Sequence, residues 1–444
     1  MLRFVSRQKA RETEYQMKIT PANALCGRLV LPGDKSISHR AAMLASIANG
    51  SSRITNFLTA EDCLSTLGCM QQLGAKATRT GTTVEIAGVG KYGLTPSSTP
   101  LDCGNSGTTA RLITGLLAGQ RFETTLIGDD SLSKRPMDRV MRPLKPFGAE
   151  IQATDGKLPV TISGTPLKAA NVTLDVASAQ VKSCLLLAGL YAEGRTTVVE
   201  PVQTRDHTER MLEWLGADIS IEVRHNARHI TVDGNSELTA RDISVPADIS
   251  SAAFLLVAAA CLEGSHLVLP SVGLNPTRKG VLDILKRCGV QVGIDNEREV
   301  SGEPVGDLII EGGIGRQELS LLAGPIIPNI IDEIPILAVF GTQLPNGIEI
   351  RDAHELRVKE TDRIRAVVED LRRMEIKVDE FDDGFRVYPG QPKGASIETF
   401  GDHRIAMAFA VAGLFADGET TIEGHEACEI SFPSFFDALK SVVT

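Results

Sequence analysis

Strongly apolar segments recur along the chain, and each is long enough to form a helix. In residues 252–262, for example, no charged or strongly polar side chain interrupts the run. A helix that is apolar on every side is buried in a core and does not lie on a surface. The pattern therefore predicts buried helices at residues 41–48, 110–117, 181–190, 252–262, 334–340 and 405–415.

A repeated series of turns follows these apolar segments. A glycine turn comes first, as in Asn49-Gly50 and Asp417-Gly418, and several of the turns lead into a β-branched stretch such as 195–199. A second, amphipathic helix then ends in a turn of similar sequence, which reads Leu73-Gly74-Ala75, Phe147-Gly148-Ala149, Leu215-Gly216-Ala217 and Cys288-Gly289-Val290. The markers recur about every 70 residues, a longer period than that of the common solenoids. They indicate six copies, the last of them truncated.

The alternation of strands and helices is typical of an α/β fold. Because the apolar helices must be buried, we expect helices inside and sheets outside, in a two-domain inside-out α/β barrel of six similar βαβαββ-type repeats. A chain of 444 residues is also too long for one ordinary core. We predict an N-terminal extension at 1–17, a lower domain of three repeats at 18–33 plus 241–444, and an upper domain of three repeats at 34–240. The repeat alone leaves a solenoid as an alternative.

Composition narrows the possible functions. The formal net charge of −10 and an aromatic content of 4% argue against nucleic acid and anionic membranes as partners. The eight cysteines form no CxxC pair or Cys/His cluster, so we expect reduced thiols and no metal site. The N-terminal residues lack the apolar region of a secretory signal, and no apolar run could span a bilayer. We therefore expect a soluble, cytoplasmic protein.

The loops before the apolar helices are the candidate functional sites. A helix N-terminus leaves backbone N–H groups unpaired and attracts anions. Small residues, hydroxyls and cations gather there, at 33–40, at 104–109 with Arg111, at 178–180 and at 401–404. Helix capping alone is the alternative explanation for each loop. Gly33-Asp34-Lys35-Ser36 is not a phosphate-binding P-loop, because Asp34 and Leu29 stand where that motif needs glycine.

Two further basic segments stand out, at 134–137 and 358–363. The second is predicted to open an amphipathic helix with Ile364, Val367 and Leu371 on its apolar stripe. On that helix residues 359, 360 and 363 would share one face, which places a carboxylate beside two cations. A solvated ion-pair face is the alternative.

Taken together, these segments resemble the motif series of the 5-enolpyruvylshikimate-3-phosphate synthase family. The similar segments are 31–40, 104–108, 134–137, 357–363 and 401–407, and they follow the family's order and spacing. The resemblance extends from about residue 19 to the C-terminus. It implies a two-domain inside-out α/β fold, and transfer of the enolpyruvyl group of phosphoenolpyruvate to the 5-hydroxyl of shikimate 3-phosphate. It also implies that phosphate is released and that neither a metal nor an organic cofactor is needed.

The resemblance assigns two sets of ligand-binding residues, both suited to anions that carry phosphate and carboxylate groups. The shikimate 3-phosphate set is Lys35, Ser36, Arg40, Ser178, Gln180, Thr204, Arg205, Asp332 and Lys359. The phosphoenolpyruvate set is Lys35, Gly107, Arg135, Gln180, Arg363 and Arg404. We expect these small molecules to be the partners of a monomeric enzyme.

Addition followed by elimination requires a general base on the hydroxyl and a general acid on the alkene. By the resemblance, Asp332 is the base, and Glu360 or Lys35 is the acid. Three positions depart from the family's pattern. No lysine precedes Phe432, Ala179 replaces a serine of some members, and Glu355 stands where some members have asparagine. None of the three is assigned to the site.

Two alternative functions remain at this point. UDP-N-acetylglucosamine enolpyruvyl transferases share the implied fold and donor. They typically carry a cysteine in a loop where this chain has Asp130, and no cysteine lies between residues 104 and 183. A non-catalytic anion-binding repeat protein is the other alternative. It would require neither Asp332 nor Glu360.

Overall fold

The structure is a computed structural model and describes residues 16–444. Most of the extension predicted at 1–17 lies outside the described residues. Its last two residues, Gln16 and Met17, belong to the first described strand. Gln16 and Met17 pair there with Glu423 and Ile422, near the other end of the chain.

The described chain alternates helices and short strands. Its α-helices are α1 (Lys35–Ser46), α2 (Glu61–Gln72), α3 (Gly107–Ala118), α4 (Asp138–Leu144), α5 (Ala179–Gly189), α6 (His207–Trp214), α7 (Ile249–Cys261), α8 (Gly280–Arg287), α9 (Ile327–Ile330), α10 (Ile334–Gly341), α11 (Arg363–Arg373), α12 (His403–Leu414) and α13 (Phe435–Val442). Short 3₁₀ helices cover Leu132–Lys134, Lys145–Phe147, Gly324–Ile326, His354–Val358 and His425–Ile430.

The strands are β1 (Gln16–Ile19), β2 (Cys26–Arg28), β3 (Asn49–Thr55), β4 (Lys76–Thr80), β5 (Thr83–Val89), β6 (Leu101–Asp102), β7 (Glu123–Ile127), β8 (Glu150–Thr154), β9 (Lys157–Ser163), β10 (Leu167–Lys168), β11 (Asn171–Thr173), β12 (Ala192–Glu193), β13 (Arg195–Glu200), β14 (Ile219–Arg224), β15 (Ala227–Asp233), β16 (Ile243–Ser244), β17 (His266–Gly273), β18 (Gln291–Val300), β19 (Glu303–Glu311), β20 (Leu321–Leu322), β21 (Ile348–Ile350), β22 (Val378–Phe381), β23 (Gly384–Val387), β24 (Ser396–Glu398) and β25 (Thr420–Glu423).

Six sheets within residues 16–444 repeat one strand order. In β16-β3-β5-β4, a short edge strand runs parallel to β3, and two antiparallel neighbours follow. The sheets β6-β7-β9-β8, β11-β13-β15-β14 and β20-β21-β23-β22 are built in the same way. The sheet β2-β17-β19-β18 has the same order, and β24-β25-β1 is one strand shorter. The predicted α/β fold with six repeats, the last truncated, is therefore confirmed.

The chain divides into two compact units. Unit 1 contains the described residues up to Leu31 together with Ala247–Glu297 and Gly306–Thr444, and unit 2 contains Pro32–Pro246 and Arg298–Val305. The boundaries predicted from the sequence fall after residues 33 and 240. That the units act as separate domains stays a prediction.

Each unit has its apolar helices at its centre. In unit 2, α3 packs against α1 and α5, and in unit 1, α7, α10 and α12 contact one another pairwise. All described residues of α10 and α12 are buried. In a solenoid each repeat contacts only its neighbours along the chain. The pairwise contacts within unit 1 instead form one shared core, as the apolar sequences predict.

Side-chain caps set where most of these helices begin. Asp34, Ser106, Ser178, Asp248 and Asp402 each accept a hydrogen bond from a backbone N–H of the first helical turn. The helices consequently start ahead of the apolar runs that predicted them. Capping is thus one real function of the small polar loops.

Helix length and composition also bear on membrane insertion. Within the described residues, no single helix is both long and apolar enough to cross a bilayer. Among the helices of residues 16–444, one bent pair, Gly324–Ile330 with Ile334–Gly341, reaches that length and composition when the two helices are taken together.

Candidate active site

Lys35 is the first residue of α1, directly after the capping residue Asp34. Its ammonium lies 2.5 Å from Asp62 Oδ2 at the start of α2. The Thr109 hydroxyl donates to Oγ of the cap Ser106 at 2.7 Å, and its oxygen lies 3.4 Å from the backbone carbonyl of Asp62. These contacts connect Lys35 to the N-terminus of α3.

Arg40 is buried one turn further along α1. Its Nε donates to Thr208 Oγ1 and its Nη2 to Ser183 Oγ, both over 2.7 Å, while its Nη1 donates to the carbonyl of Ser36 at 2.9 Å. Burial lowers the pKa of Arg40 to about 10, although the Glu209 carboxylate acts in the opposite direction. The guanidinium is held by groups on α1, α5 and α6, so its position is set by the core of unit 2.

The second loop brings Gly107 and Arg135 together. Arg135 donates to the side-chain and backbone oxygens of Asn105 at 2.7 and 3.3 Å. A methyl group at Gly107 would lie 3.0 Å from Arg111 Nη1 and 3.6 Å from Arg135 Nη1. The absence of a side chain at Gly107 therefore leaves space beside two guanidinium groups.

Gln180 joins the third loop to the second. Its amide oxygen accepts from Arg111 Nη1 at 2.6 Å, and its amide nitrogen donates to Thr108 Oγ1 at 3.0 Å. Ser178 caps α5 by accepting from the Val181 N–H at 3.4 Å. The predicted residues Gln180, Ser178 and Gly107 thus all lie at the N-termini of the packed helices α3 and α5.

Thr204 and Arg205 follow β13. Thr204 is buried, and both its N–H and its hydroxyl donate to Glu200. Arg205 is half-buried and lies close enough to Arg40 to lower the pKa of that residue. The cations Arg40 and Arg205 therefore belong to the same part of unit 2.

In unit 1, Asp332 lies among three cations. Its Oδ1 is 3.3 Å from Arg363 Nη1 and 4.0 Å from Lys359 Nζ, and its Oδ2 is 3.6 Å from Arg404 Nη2. Arg404 also donates to the backbone carbonyl of Asp332 at 3.0 Å. Glu333, the next residue, is fully buried and accepts a hydrogen bond from the Ser250 hydroxyl. Contacts of Asp332 with Arg404 and of Glu333 with Ser250 therefore hold the turn before α10.

Arg363 is surrounded by carboxylates. It donates to Glu360 at 2.6 Å and to Asp402 at 2.7 Å, in addition to its contact with Asp332. Burial alone would lower the pKa of Arg363, but Asp402, Glu360 and Asp332 together raise it above its ordinary value. Burial lowers the pKa of the neighbouring Lys359.

The predicted helix around these residues is wrong at its start. Asp362 accepts a hydrogen bond from the Arg365 N–H and so caps α11, which begins at Arg363. Lys359 and Glu360 lie before the helix, after the 3₁₀ turn His354–Val358. They nevertheless approach Arg363 and Asp332 from this segment. The predicted apolar stripe of Ile364, Val367 and Leu371 is buried as expected.

Several residues of these clusters were not singled out from the sequence. Asp62 carries no local signal, because it opens an ordinary amphipathic helix far from Lys35 in the chain. Asn105 and Asp402 lie in the candidate loops 104–109 and 401–404, but only the fold shows that they are partners of Arg135 and Arg363.

Each unit thus presents cations at or near the N-termini of buried helices, and unit 1 adds the carboxylates Asp332 and Glu360. Helix N-termini and arginine side chains suit phosphate and carboxylate ligands. Carboxylates beside them can transfer protons. The fold and the two clusters define an α/β enzyme that acts on small anions.

Comparison with known proteins specifies the family. The family model described as EPSP synthase (3-phosphoshikimate 1-carboxyvinyltransferase) matches residues 19–439. The chain is 49% identical to the 3-phosphoshikimate 1-carboxyvinyltransferase of Solibacter usitatus, over 96% of this chain and 99% of that protein. It is 46% identical to the protein of the same name from Shouchella clausii, over 95% and 97%. The chain belongs to the EPSP synthase family.

Solved structures agree. EPSP synthase from Acinetobacter baumannii superposes with a TM-score of 0.85 at 42% identity, covering 96% of this chain and 98% of that chain. The enolpyruvyl transferase NikO from Streptomyces tendae shares the fold, with a TM-score of 0.76 at 19% identity and 96% coverage of both chains. The family and fold inferred from the motifs are confirmed. The roles of individual residues stay predictions.

Proposed function

We propose that this chain transfers the enolpyruvyl group of phosphoenolpyruvate to the 5-hydroxyl of shikimate 3-phosphate and releases phosphate. The observation that carries the proposal is the match to one family over residues 19–439, with relatives of that name 46–49% identical over nearly the whole chain. The clusters of both units support it, because the two substrates are phosphorylated carboxylates.

In this proposal the cations do most of the binding. Lys35, Ser36, Arg40, Ser178, Gln180, Thr204 and Arg205 of unit 2 serve shikimate 3-phosphate, as do Asp332 and Lys359 of unit 1. Lys35, Gly107, Arg135 and Gln180 of unit 2, together with Arg363 and Arg404 of unit 1, serve phosphoenolpyruvate. Two anions repel one another at close range, so charge neutralisation by fixed cations is required before they can react.

The chemistry proceeds in two steps. Asp332 accepts the proton of the 5-hydroxyl, the oxygen attacks the central carbon of phosphoenolpyruvate, and Glu360 or Lys35 protonates the methylene carbon. The resulting tetrahedral ketal phosphate then loses a methyl proton and expels phosphate, which restores the enol ether double bond. The contacts of Asp332 with Lys359, Arg363 and Arg404 support its place in this scheme, because they fix the direction of its carboxylate.

A phosphate-release assay tests the proposal. The chain is incubated with phosphoenolpyruvate and either shikimate 3-phosphate or UDP-N-acetylglucosamine, the acceptor of the related transferases. We expect phosphate release when the acceptor is shikimate 3-phosphate and none when the acceptor is UDP-N-acetylglucosamine. Release only with the nucleotide sugar, or with neither acceptor, would refute it.

Three further expectations belong to the same proposal. We propose that the enzyme acts as a monomer in the cytoplasm, that it requires neither metal nor organic cofactor, and that nucleic acid and membranes are not partners. Light scattering would test the first of these. Turnover after exhaustive treatment with a chelator would test the second.

A further inference from the structure

Lys182 is a fully buried cation within the apolar helix α5. Burying an ammonium is costly unless acceptors surround it. Its Nζ lies 2.9 Å from Glu200 Oε1 and 2.8 Å from Glu209 Oε1, and both carboxylates are buried as well. A third acceptor, the backbone carbonyl of Thr204, lies at 3.4 Å. Two carboxylates and one backbone carbonyl therefore surround the ammonium.

Every polar group of Thr204 is hydrogen-bonded to a member of the same cluster. The backbone N–H and the hydroxyl of Thr204 both donate to Glu200 Oε1, at 2.9 and 2.5 Å, and its carbonyl accepts from Lys182. A hydroxyl has a single proton to donate. A Thr204 hydroxyl that gives its proton to Glu200 has none left for the oxygen of a phosphate dianion.

The neighbours of this cluster are groups assigned to the acceptor substrate. Arg205 follows Thr204 directly, so an anchored Thr204 fixes the point from which the Arg205 side chain extends. Ser183 follows Lys182, and Thr208 precedes Glu209. Both hydroxyls accept hydrogen bonds from Arg40. One buried cluster thus supports two cations of unit 2.

We propose that Lys182 and Glu200 are positioning residues for the acceptor substrate, and that they act through Thr204. In this view Lys182 and Glu200 fix Thr204, Thr204 places Arg205, and Arg205 contacts the phosphorylated ligand. The inference rests on the proposed function, since it concerns binding of shikimate 3-phosphate. It changes the role of Thr204 from a direct ligand contact to an anchor.

The inference predicts an effect confined to one substrate. Thr204→Val removes the hydroxyl and keeps nearly the same side-chain shape. Glu200→Gln removes the negative charge of the group that accepts the hydrogen bond of the Thr204 hydroxyl. Each should raise the KM for shikimate 3-phosphate about tenfold, because small displacements of a binding group have large effects. The KM for phosphoenolpyruvate and kcat should change by less than about twofold, and Thr204→Ser, which keeps the hydroxyl, should behave like the wild type. Arg195→Met, which removes a cation of an exposed ion pair in the same unit, is the matched control.

The same substitution in an Arg205→Met variant shows whether Thr204 positions Arg205 or contacts the ligand itself. If Thr204 acts through Arg205, Thr204→Val should add little to the KM of an Arg205→Met variant. An undiminished effect in that background would show that Thr204 contacts the ligand itself, and would overturn the inference. The inference would also be overturned if the variants lose folded protein, measured by circular dichroism, while the protein that remains folded keeps the wild-type KM.

The proposed function and this inference fail in different ways. A wild-type chain without turnover on shikimate 3-phosphate would refute both. A wild-type chain that turns over while Thr204→Val and Glu200→Gln leave the KM for shikimate 3-phosphate unchanged would refute the inference alone. If Glu200→Gln does not fold, Thr204→Val, which leaves the buried charges in place, carries the test.

Discussion

Arg363 donates from Nε to Asp402 Oδ2 over 2.7 Å, and both side chains are almost completely buried. Asp402 also accepts from the Arg404 N–H at 2.8 Å through its other oxygen and so caps α12. One carboxylate therefore orients two arginines, the first through a side-chain ion pair and the second through the start of its helix. In the proposed function both arginines bind phosphoenolpyruvate.

We expect Asp402→Ala to be strongly destabilising. It removes one of the three carboxylates around the buried Arg363 guanidinium, where breaking an ion pair costs up to about 3–5 kcal/mol, and it removes a helix cap in addition. Asp402→Asn should lose less, because its amide oxygen can still accept from the Arg404 N–H. Urea unfolding measures the difference. Asp218→Ala, at an exposed ion pair with Arg195, should change the free energy of unfolding by less than about 1 kcal/mol. Equal losses at both positions would contradict the role of the buried pair.

Asp332→Asn should fold normally and lose turnover. The amide has the same shape, and the backbone carbonyl that accepts from Arg404 is unchanged. Removal of a positioned base typically lowers the rate by about 10²–10⁴-fold. Single-turnover phosphate release measures this loss, with Asp417→Asn, an exposed carboxylate of unit 1, as the control. Wild-type turnover in Asp332→Asn would remove this residue from the mechanism.

The architecture could be predicted because its signals are local. Six apolar helices, the glycine turns after them and the motif series are all visible as short patterns, and the structure contains them. The missed features depend on contacts between distant parts of the chain. Strand β1 pairs with β25 about four hundred residues later, and Asp62 approaches Lys35 only after α1 and α2 pack.

Two features of the structure differ from or escape the sequence pattern, for separate physical reasons. The charged residues at 358–363 predict a helix that opens there, whereas the side chain of Asp362 caps the first turn and so starts α11 at Arg363. The role of Lys182 is not visible in the sequence, because a lone lysine in an apolar helix belongs to no motif. Its partners, Glu200 and Glu209, come from β13 and α6, and no local pattern connects them.

Gly107→Ala should weaken binding of phosphoenolpyruvate. The added methyl would lie 3.0 Å from Arg111 Nη1 and 3.6 Å from Arg135 Nη1, so at least one guanidinium must move. We expect the KM for phosphoenolpyruvate to rise about tenfold, while the KM for shikimate 3-phosphate changes little. Gly68→Ala is the control, since a methyl group there meets nothing within 4 Å. A loss of thermal stability without a change in either KM would assign Gly107 to packing alone.

Asp370 makes the stability of the chain depend on pH. Burial raises the pKa of its carboxyl to about 7, against the opposing hydrogen bond from the Glu398 N–H and the contact with Arg373. Its Oδ2 is buried without a hydrogen-bond partner. The folded chain therefore keeps a proton on Asp370 at a pH where the unfolded chain has lost it, and this residue's contribution to stability decreases as pH rises from about 4 to about 7.

Asp370→Asn should remove this dependence, because the amide is neutral at every pH. The free energy of unfolding of the wild type, minus that of Asp370→Asn, should fall by about 3 kcal/mol between pH 5 and pH 8. Urea unfolding of both proteins at several pH values measures the difference. Asp218→Asn, an exposed carboxylate, should run parallel to the wild type over the same range. A wild-type curve parallel to that of Asp370→Asn would show that the Asp370 carboxyl is already ionised at pH 5, because the contacts with Arg373 and the Glu398 N–H then outweigh its burial.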